Sequence, residues 1–307
     1  MRENPVYKRE RTVSSRSARL PVIMMLFNGI LAVVALLNMY SMASQVEVTA
    51  EIQYSRFLDL YVFVASIEFL LLCFIMPALT AGSISGERER GTLELMLSTQ
   101  MTSRGIVLGK LAASLYNMAL LVISSFPVIA LVFVYGGIQM KDVGALLLLY
   151  MVVALLSASI GLCFSAICRR STMATALSYG FLAFLIVGTY GVNFFVWSMS
   201  RIGAAGYLDQ VGGIAAQGSS GLFFYLLLLD PVLTFYRIIE SQAGNLEAAA
   251  QIFQSFGGRG AGPVLRVWIP LSLLLQILLA VVFLLLAIRG VDPVRGEPKK
   301  LQKRKKG

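Results

Sequence analysis

The chain has 307 residues, of which 57% are hydrophobic and 14% charged, with 26 Lys and Arg against 16 Asp and Glu and no His. Soluble domains carry about 25% charged residues, so this composition excludes an ordinary soluble protein and predicts a membrane protein; the missing His also removes the commonest general base and metal ligand. The net charge of +10 does not indicate a nucleic-acid partner, because the Lys and Arg stand at the ends of apolar stretches instead of on one basic face.

Residues 1–19, with NPVYKRERTVSSRSAR, set basic residues just ahead of the first apolar stretch. A short helix lying on the inner leaflet and a basic arm held near anionic lipid both fit this pattern. The charge of the segment and the lack of a small-residue cleavage site after it predict that it is retained and is not a signal peptide. Crossing a hydrocarbon core about 30 Å thick takes about twenty apolar residues. Six stretches reach that length, at 20–42, 57–82, 106–135, 143–167, 173–199 and 267–288.

Six of the 26 Lys and Arg lie in residues 1–19, four in 83–110, two at 169–170 and eight in 289–307, which leaves six elsewhere. The excess of Lys and Arg in cytoplasmic loops then predicts that both termini are cytosolic. The organisation expected is a segment 1–19, one transmembrane domain 20–288 and a basic tail 289–307 that anchors topology and lipid.

Within the second stretch, Glu68 stands roughly 16 Å from the start, near mid-membrane, where an acid costs about 3 kcal/mol on insertion scales. Two readings stay open. It is a neutral side chain bonded to a neighbouring helix, or it faces a cavity or a dimer axis on one stripe with Tyr61, Ala65 and Leu72. Pro77 and Pro127 interrupt the second and third stretches, and Ser124 and Ser125 are placed to occupy backbone groups freed by Pro127. Asn28, Asn38, Asn117 and Asn193 either line a path or, as isolated asparagines more often do, make interhelical hydrogen bonds. Cys73, Cys163 and Cys168 lie in or beside apolar segments, unevenly spaced, and form neither a disulfide framework nor a metal site.

Between the second and third stretches runs SISGERERGTLELMLSTQMTSRGIVLGK, residues 83–110. Ser85 and Thr92 each precede a Glu by two residues, Glu87 and Glu94, which predicts two capped short helices. Gly91, costing about 1 kcal/mol inside a helix, predicts the break between them. Leu93, Met96 and Leu97 then form an apolar stripe. That stripe suits a groove on a protein partner; equally, the charges form a solvated run and the leucines pack back on the bundle.

The region 201–266 contains GLFFYLLLLDPVLTFYRIIES. A seventh span there would carry Asp230 and Pro231 at its centre and place the basic tail outside. Instead Asp230 as N-cap and Pro231 at the first helical position predict a short helix through Glu240. The segment is expected to be an outer cap packed on the bundle and the membrane surface.

The stretch SGERERGTLELMLSTQMTSRGIVLGK resembles the loop after the second span of ABC-2 type ABC transporter permeases, and the opening NPVYKRE and the order of spans extend the likeness over the whole chain. Gln100 stands where that family often has proline. The resemblance implies an all-α membrane protein with six transmembrane helices, an N-terminal interfacial helix, a cytosolic coupling helix in 83–104 and a small extracellular helical segment before the sixth span. It also implies that Glu87, Arg88, Glu89, Arg90, Gly91, Thr92 and Glu94 transmit motion from a separate ABC ATPase subunit, and that a second permease copy or paralogue completes the complex.

GIVLGKL at 105–111 is not a phosphate loop: three residues instead of four separate the glycines, and Leu stands where Ser or Thr must reach magnesium. ATP and Mg are therefore expected on the partner subunit, with no cofactor or metal on this chain. The expected function is export of an amphipathic substrate across the cell membrane. A sensory or regulatory complex that moves without transporting is the alternative, and an intramembrane enzyme is disfavoured by the absence of acid pairs and of any HExxH-like motif.

Overall fold

The computed structural model describes residues 5–16, 18–49, 55–98, 101–134, 139–211, 219–243, 256, 264–265 and 267–292. The basic tail from residue 293 and residues 50–54, 212–218 and 244–255 lie outside the described residues. Every regular element described is helical: α1 (Pro5–Arg16), α2 (Arg19–Thr49), α3 (Ser55–Ala81), α4 (Ser85–Glu89), α5 (Thr92–Ser98), α6 (Ser103–Val134), α7 (Met140–Ile167), α8 (Ser171–Ala183), a π turn (Phe184–Gly188), α9 (Thr189–Val211), a 3₁₀ segment (Gly221–Leu229), α10 (Pro231–Ala243) and α11 (Trp268–Val291). Six helical stretches are long and apolar enough to span a membrane: α2, α3, α6, α7, α8 with α9, and α11.

Helix α7 is the hub of the bundle, with 78% of its span buried against 18% for that of α2. Both are strongly apolar, and lipid accepts a Leu as readily as a protein core does, so apolarity does not decide which is central. Small residues do, because they let backbones approach closely. Ser157, Gly161 and Ser165 recur every fourth residue along one buried stripe of α7, and Ala158 and Ala166 are buried beside it. A Cβ built on Gly161 would overlap the Thr80 hydroxyl of α3 and stand 3.2 Å from the Ala81 nitrogen. On the other side, Ala166 meets Gly290 of α11 with 3.2 Å to a built Cβ.

The contacts run in register, Tyr150 to Ala65, Gly161 to Thr80 and Ser165 to Ile84, so α3 and α7 lie side by side and parallel. Interhelical hydrogen bonds supplement the packing: Tyr150 Oη donates to the Ala65 carbonyl at 2.8 Å, and Asn28 Nδ2 of α2 to Ser124 Oγ of α6 at 2.9 Å. Near Pro127 the expected arrangement differs in detail. Ser124 and Ser125 donate to the Leu121 and Val122 carbonyls, not to that of Ile123, which the proline releases, since a serine hydroxyl reaches most easily one turn back along its own helix.

The segment before the last span departs from the expected outer cap. The 3₁₀ segment and α10 meet at an 84° bend at Asp230 and together form a re-entrant hairpin. Phe224 packs on Trp268 at the start of α11, whereas the Asp230 carbonyl faces Gln276 and the Asp230 carboxylate faces Thr189 of α9. Gln276 stands about 12 Å along α11, so the bend is inserted into the membrane zone. Helix α10 then returns to the end from which it came, where Gln242 Nε2 donates to the Asp142 carbonyl in the first turn of α7 and Tyr61 Oη donates to Gln242 Oε1. Among the described residues, six stretches long and apolar enough to cross then remain.

The cap predicted for α10 is present: Asp230 Oδ1 accepts from the Val232 amide at 2.8 Å, with Pro231 between them. The hairpin goes inward for two reasons. Phe235, Ile238 and Ile239 of α10 join the central apolar core, with Phe235 stacked on Phe69 at 4.5 Å. The polar groups at the bend serve one another: Thr234 Oγ1 lies 2.7 Å from Ser272 Oγ, accepts from Gln276 Nε2 at 3.0 Å, and donates to the Asp230 carbonyl.

The crossing at Gly161 makes a direct prediction. Gly161→Ala should lower the melting temperature of the purified protein by several degrees, since overpacking costs about 1–3 kcal/mol. Thr80→Ala in the same chain removes the overlapping hydroxyl and should restore part of the loss. A Gly161→Ala protein as stable as the parent would contradict the close crossing.

Candidate functional site

The charged loop after the second span folds into the two short helices that its residues predict. Gly91 joins them at φ +69°, a left-handed conformation that glycine adopts without Cβ strain. The capping differs from expectation. Ser85 Oγ donates back to the Ala81 carbonyl, and Thr92 Oγ1 donates to the Glu87 carbonyl, so neither side chain caps the helix it starts. The amides at the start of α4 are served from outside: Ser165 Oγ of α7 accepts from the nitrogens of Ile84 at 2.9 Å and Ser85 at 3.0 Å. Sequence spacing cannot reveal a cap that arrives from eighty residues away.

The charges divide into an inward and an outward set. Glu87 Oε1 accepts from Lys110 Nζ at 3.0 Å, and the same ammonium, 4% exposed, reaches Glu10 Oε1 of α1 at 2.9 Å. Arg9 of α1 stands 3.9 Å from Glu87. Arg88 donates to the Cys168 carbonyl at the end of α7 at 3.1 Å. Glu89 accepts from the Ser171 amide at 2.7 Å and its hydroxyl at 3.0 Å, thereby capping α8. Glu89 is itself exposed although bonded to α8, and Arg90, Gly91, Glu94 and Leu95 are exposed on the outward side, Leu95 to 71%. Leu93 is buried, and Leu97 packs against the same core, so most of the apolar stripe faces the bundle.

Arg9, Glu10, Lys110, Ser165 and Ser171 of this assembly do not stand out in the sequence. A signal for Lys110 does exist. It lies in the second turn of α6 at the start of the helix's long apolar stretch, and an ammonium at that depth requires a partner. The identity of that partner depends on where α1 docks. Helix α1 lies against the start of α6, with Val6 buried and Tyr7 edge-on to Tyr116 at 6.5 Å.

Tyr61, Ala65, Glu68 and Leu72 do share one face of α3, and in the protomer that face is covered. All four are at most 5% exposed. Tyr61 meets α10, the Ala65 carbonyl meets α7, and Glu68 Oε1 lies 2.5 Å from Ser125 Oγ of α6. The geometry therefore places Glu68 in a hydrogen bond to a neighbouring helix. Asn193 likewise donates to the Phe223 carbonyl at 2.9 Å, fastening the hairpin. Cys73, Cys163 and Cys168 are buried free thiols.

Lys110→Met should strand the Glu10 and Glu87 carboxylates side by side. Removing one member of a buried ion pair costs about 3–5 kcal/mol, and the partial exposure of Glu10 reduces this to about 2 kcal/mol here. Hydrogen exchange of residues 5–16 should speed up as α1 loosens, and adding Glu10→Gln and Glu87→Gln should slow it again. Unchanged exchange in Lys110→Met would show that the cluster does not hold α1.

No curated protein matches the chain. A family model described as ABC-2 family transporter protein matches residues 5–290, from the first residue of α1 to within one residue of the end of α11. The matched span includes α1, the charged loop, the re-entrant hairpin and all six spanning stretches, and the chain therefore belongs to the ABC-2 family of transporter proteins, as a multi-pass membrane permease.

Proposed function

We propose that the chain is the membrane half of an exporter for an amphipathic substrate, driven by ATP and Mg bound on a separate ATPase subunit, and that residues 83–104 receive the motion of that subunit. The observation carrying this reading is the division of the loop into two sides. Arg90, Gly91, Glu94 and Leu95 point away from the bundle, while Glu87, Arg88 and Glu89 hold α1, α6, the end of α7 and the start of α8. A push on the outward side is delivered to four helices through short polar contacts. Thr92 ties α5 to α4 across the glycine, so the two short helices move as one.

In this reading a second permease copy faces the first, and closure of the ATPases tilts α8 relative to α7 and opens or closes a path between the copies. Both termini lie in the cytosol, and the segment 201–266, from which the hairpin dips into the bundle, belongs to the outer side. The bundle supports this arrangement: α1, the charged loop and the ends of α7 and α11 gather at one end, and the hairpin enters from the other.

Arg90→Glu combined with Leu95→Asp should abolish copurification of the ATPase, or cut substrate-stimulated hydrolysis about tenfold, with the melting temperature unchanged. Exposed substitutions usually alter stability by under about 0.5 kcal/mol. Glu87→Ala should behave differently and lower stability, because it deprives Lys110 of a partner. If the outward double variant keeps both its ATPase and full stimulation, the loop is not the coupling element. Flux of cargo into inverted vesicles separates transport from a regulatory role.

Orientation is tested separately. Cysteines placed at Gln217 and at Gln302, in a chain lacking Cys73, Cys163 and Cys168, should differ when intact cells meet a membrane-impermeant thiol reagent. Only Gln217→Cys should react. Labelling of Gln302→Cys would reverse the assignment.

A further inference from the structure

A cavity of about 650 Å³ opens where α5, the first turn of α6 and the last turns of α11 converge. Its polar wall holds Arg104, Arg289 and Asp292, and its apolar wall includes Leu97, Leu285 and Ile288. We infer that it is a binding site for the phosphate headgroup of an anionic phospholipid, with Arg104 and Arg289 as the headgroup ligands.

Three observations carry this assignment. First, among the described residues neither arginine has an ion-pair partner, although Asp292 stands on the same rim. Two guanidinium groups against one carboxylate leave the cavity with net positive charge. Guanidinium groups suit phosphate because their planar donors engage two oxygens at once.

Second, Arg104 and Arg289 are both exposed on the cavity rim, and the helix dipole disfavours a cation at Arg104 by about 0.3–1 kcal/mol. An arginine in the last turn of a spanning helix, as Arg289 is, meets the negative end of the helix dipole and needs no other explanation. Arg104 is in the first turn of α6, a 32-residue helix, where the dipole opposes a cation. An anion between the two arginines relieves both charges and also meets the positive end of α6.

Third, the site continues as a lipid would. Both arginines belong to ends of spanning helices, at the depth where headgroups lie, and basic pockets between such helices recognise anionic headgroups. From the cavity an exposed apolar stripe runs along α11 through Leu285, Val281 and Leu278, at 53%, 46% and 58% exposure. That stripe offers an acyl chain a track, which a free phosphate would not use.

The test uses the purified full chain in detergent, with phosphatidylglycerol, phosphatidylcholine or inorganic phosphate added, read by thermal unfolding and by native mass spectrometry of retained lipid. Phosphatidylglycerol should raise the melting temperature by several degrees more than phosphatidylcholine at equal concentration. The double variant Arg104→Gln, Arg289→Gln should lose that increment and at least one tightly retained lipid. Asp292→Asn keeps both arginines and removes the opposing charge, so it should tighten phosphatidylglycerol binding several-fold.

Should the double variant fail to fold, Arg104→Lys with Arg289→Lys, which retains charge without the planar fork, should show a reduced increment. The inference is overturned if the folded arginine variant keeps the full increment, if phosphatidylcholine matches phosphatidylglycerol, or if Asp292→Asn leaves affinity unchanged. A shift of the same size with inorganic phosphate alone would assign the site to a free anion instead of a lipid.

Discussion

The approach of α7 to α3 at Gly161 sets the distance on which the other contacts at that end of the bundle depend. With no Cβ at residue 161, the Thr80 side chain fits against the α7 backbone, and the two helices lie close enough for a serine hydroxyl to bridge them. One turn further on, Ser165 uses that proximity to accept from the amides of Ile84 and Ser85, groups that the turn between α3 and α4 would otherwise leave unpaired. The direction in which the charged loop leaves the bundle is thus set by a hydroxyl on another helix. Arg88 and Glu89 then reach the end of α7 and the start of α8 because α4 has been placed beside them.

A second constraint shapes the opposite end. Backbone and side-chain polar groups within a membrane have no bulk water to bond, so irregular structure survives there only where the protein supplies partners. The hairpin at Asp230 meets this requirement with hydroxyls and an amide from two helices, α9 and α11. Thr189, Ser272 and Gln276 gather around a bend that would be costly in lipid. The apolar residues of α10 supply the complementary half, with Phe235 stacked on Phe69 one turn below the Ala65 carbonyl that Tyr150 engages. Motion of α3 relative to α7 would therefore be felt by the hairpin as well as by the charged loop.

These two ends have different textures. At the loop the contacts are ionic and partly exposed, held by Lys110 between two carboxylates, which suits a region that changes shape when pushed. At the hairpin they are buried hydrogen bonds around Asp230 and close apolar packing, which suits a rigid support. The long apolar faces of α2 and of α8 with α9 carry few buried residues and are compatible with lipid or with another copy of the chain.

The sequence by itself determined the number of spans, the helical class, the glycine break at residue 91 and the cap at Asp230. These follow from local chemistry: about twenty apolar residues cross a membrane, glycine tolerates positive φ, and an aspartate before a proline starts a helix. The motif SGERERGTLELMLSTQMTSRGIVLGK further carried a family resemblance that the family model bears out. Only the tertiary structure decided which charges bond to neighbouring helices, because the partners of Glu87 and Glu89 lie 23 and 82 residues away and no periodicity encodes them. It alone showed that residues 221–243 dip into the bundle, since an apolar run beside an aspartate reads alike whether it rests on a surface or enters a core. It likewise covered the stripe of Tyr61, Ala65, Glu68 and Leu72, because helical spacing shows that four residues share a face but not what that face meets.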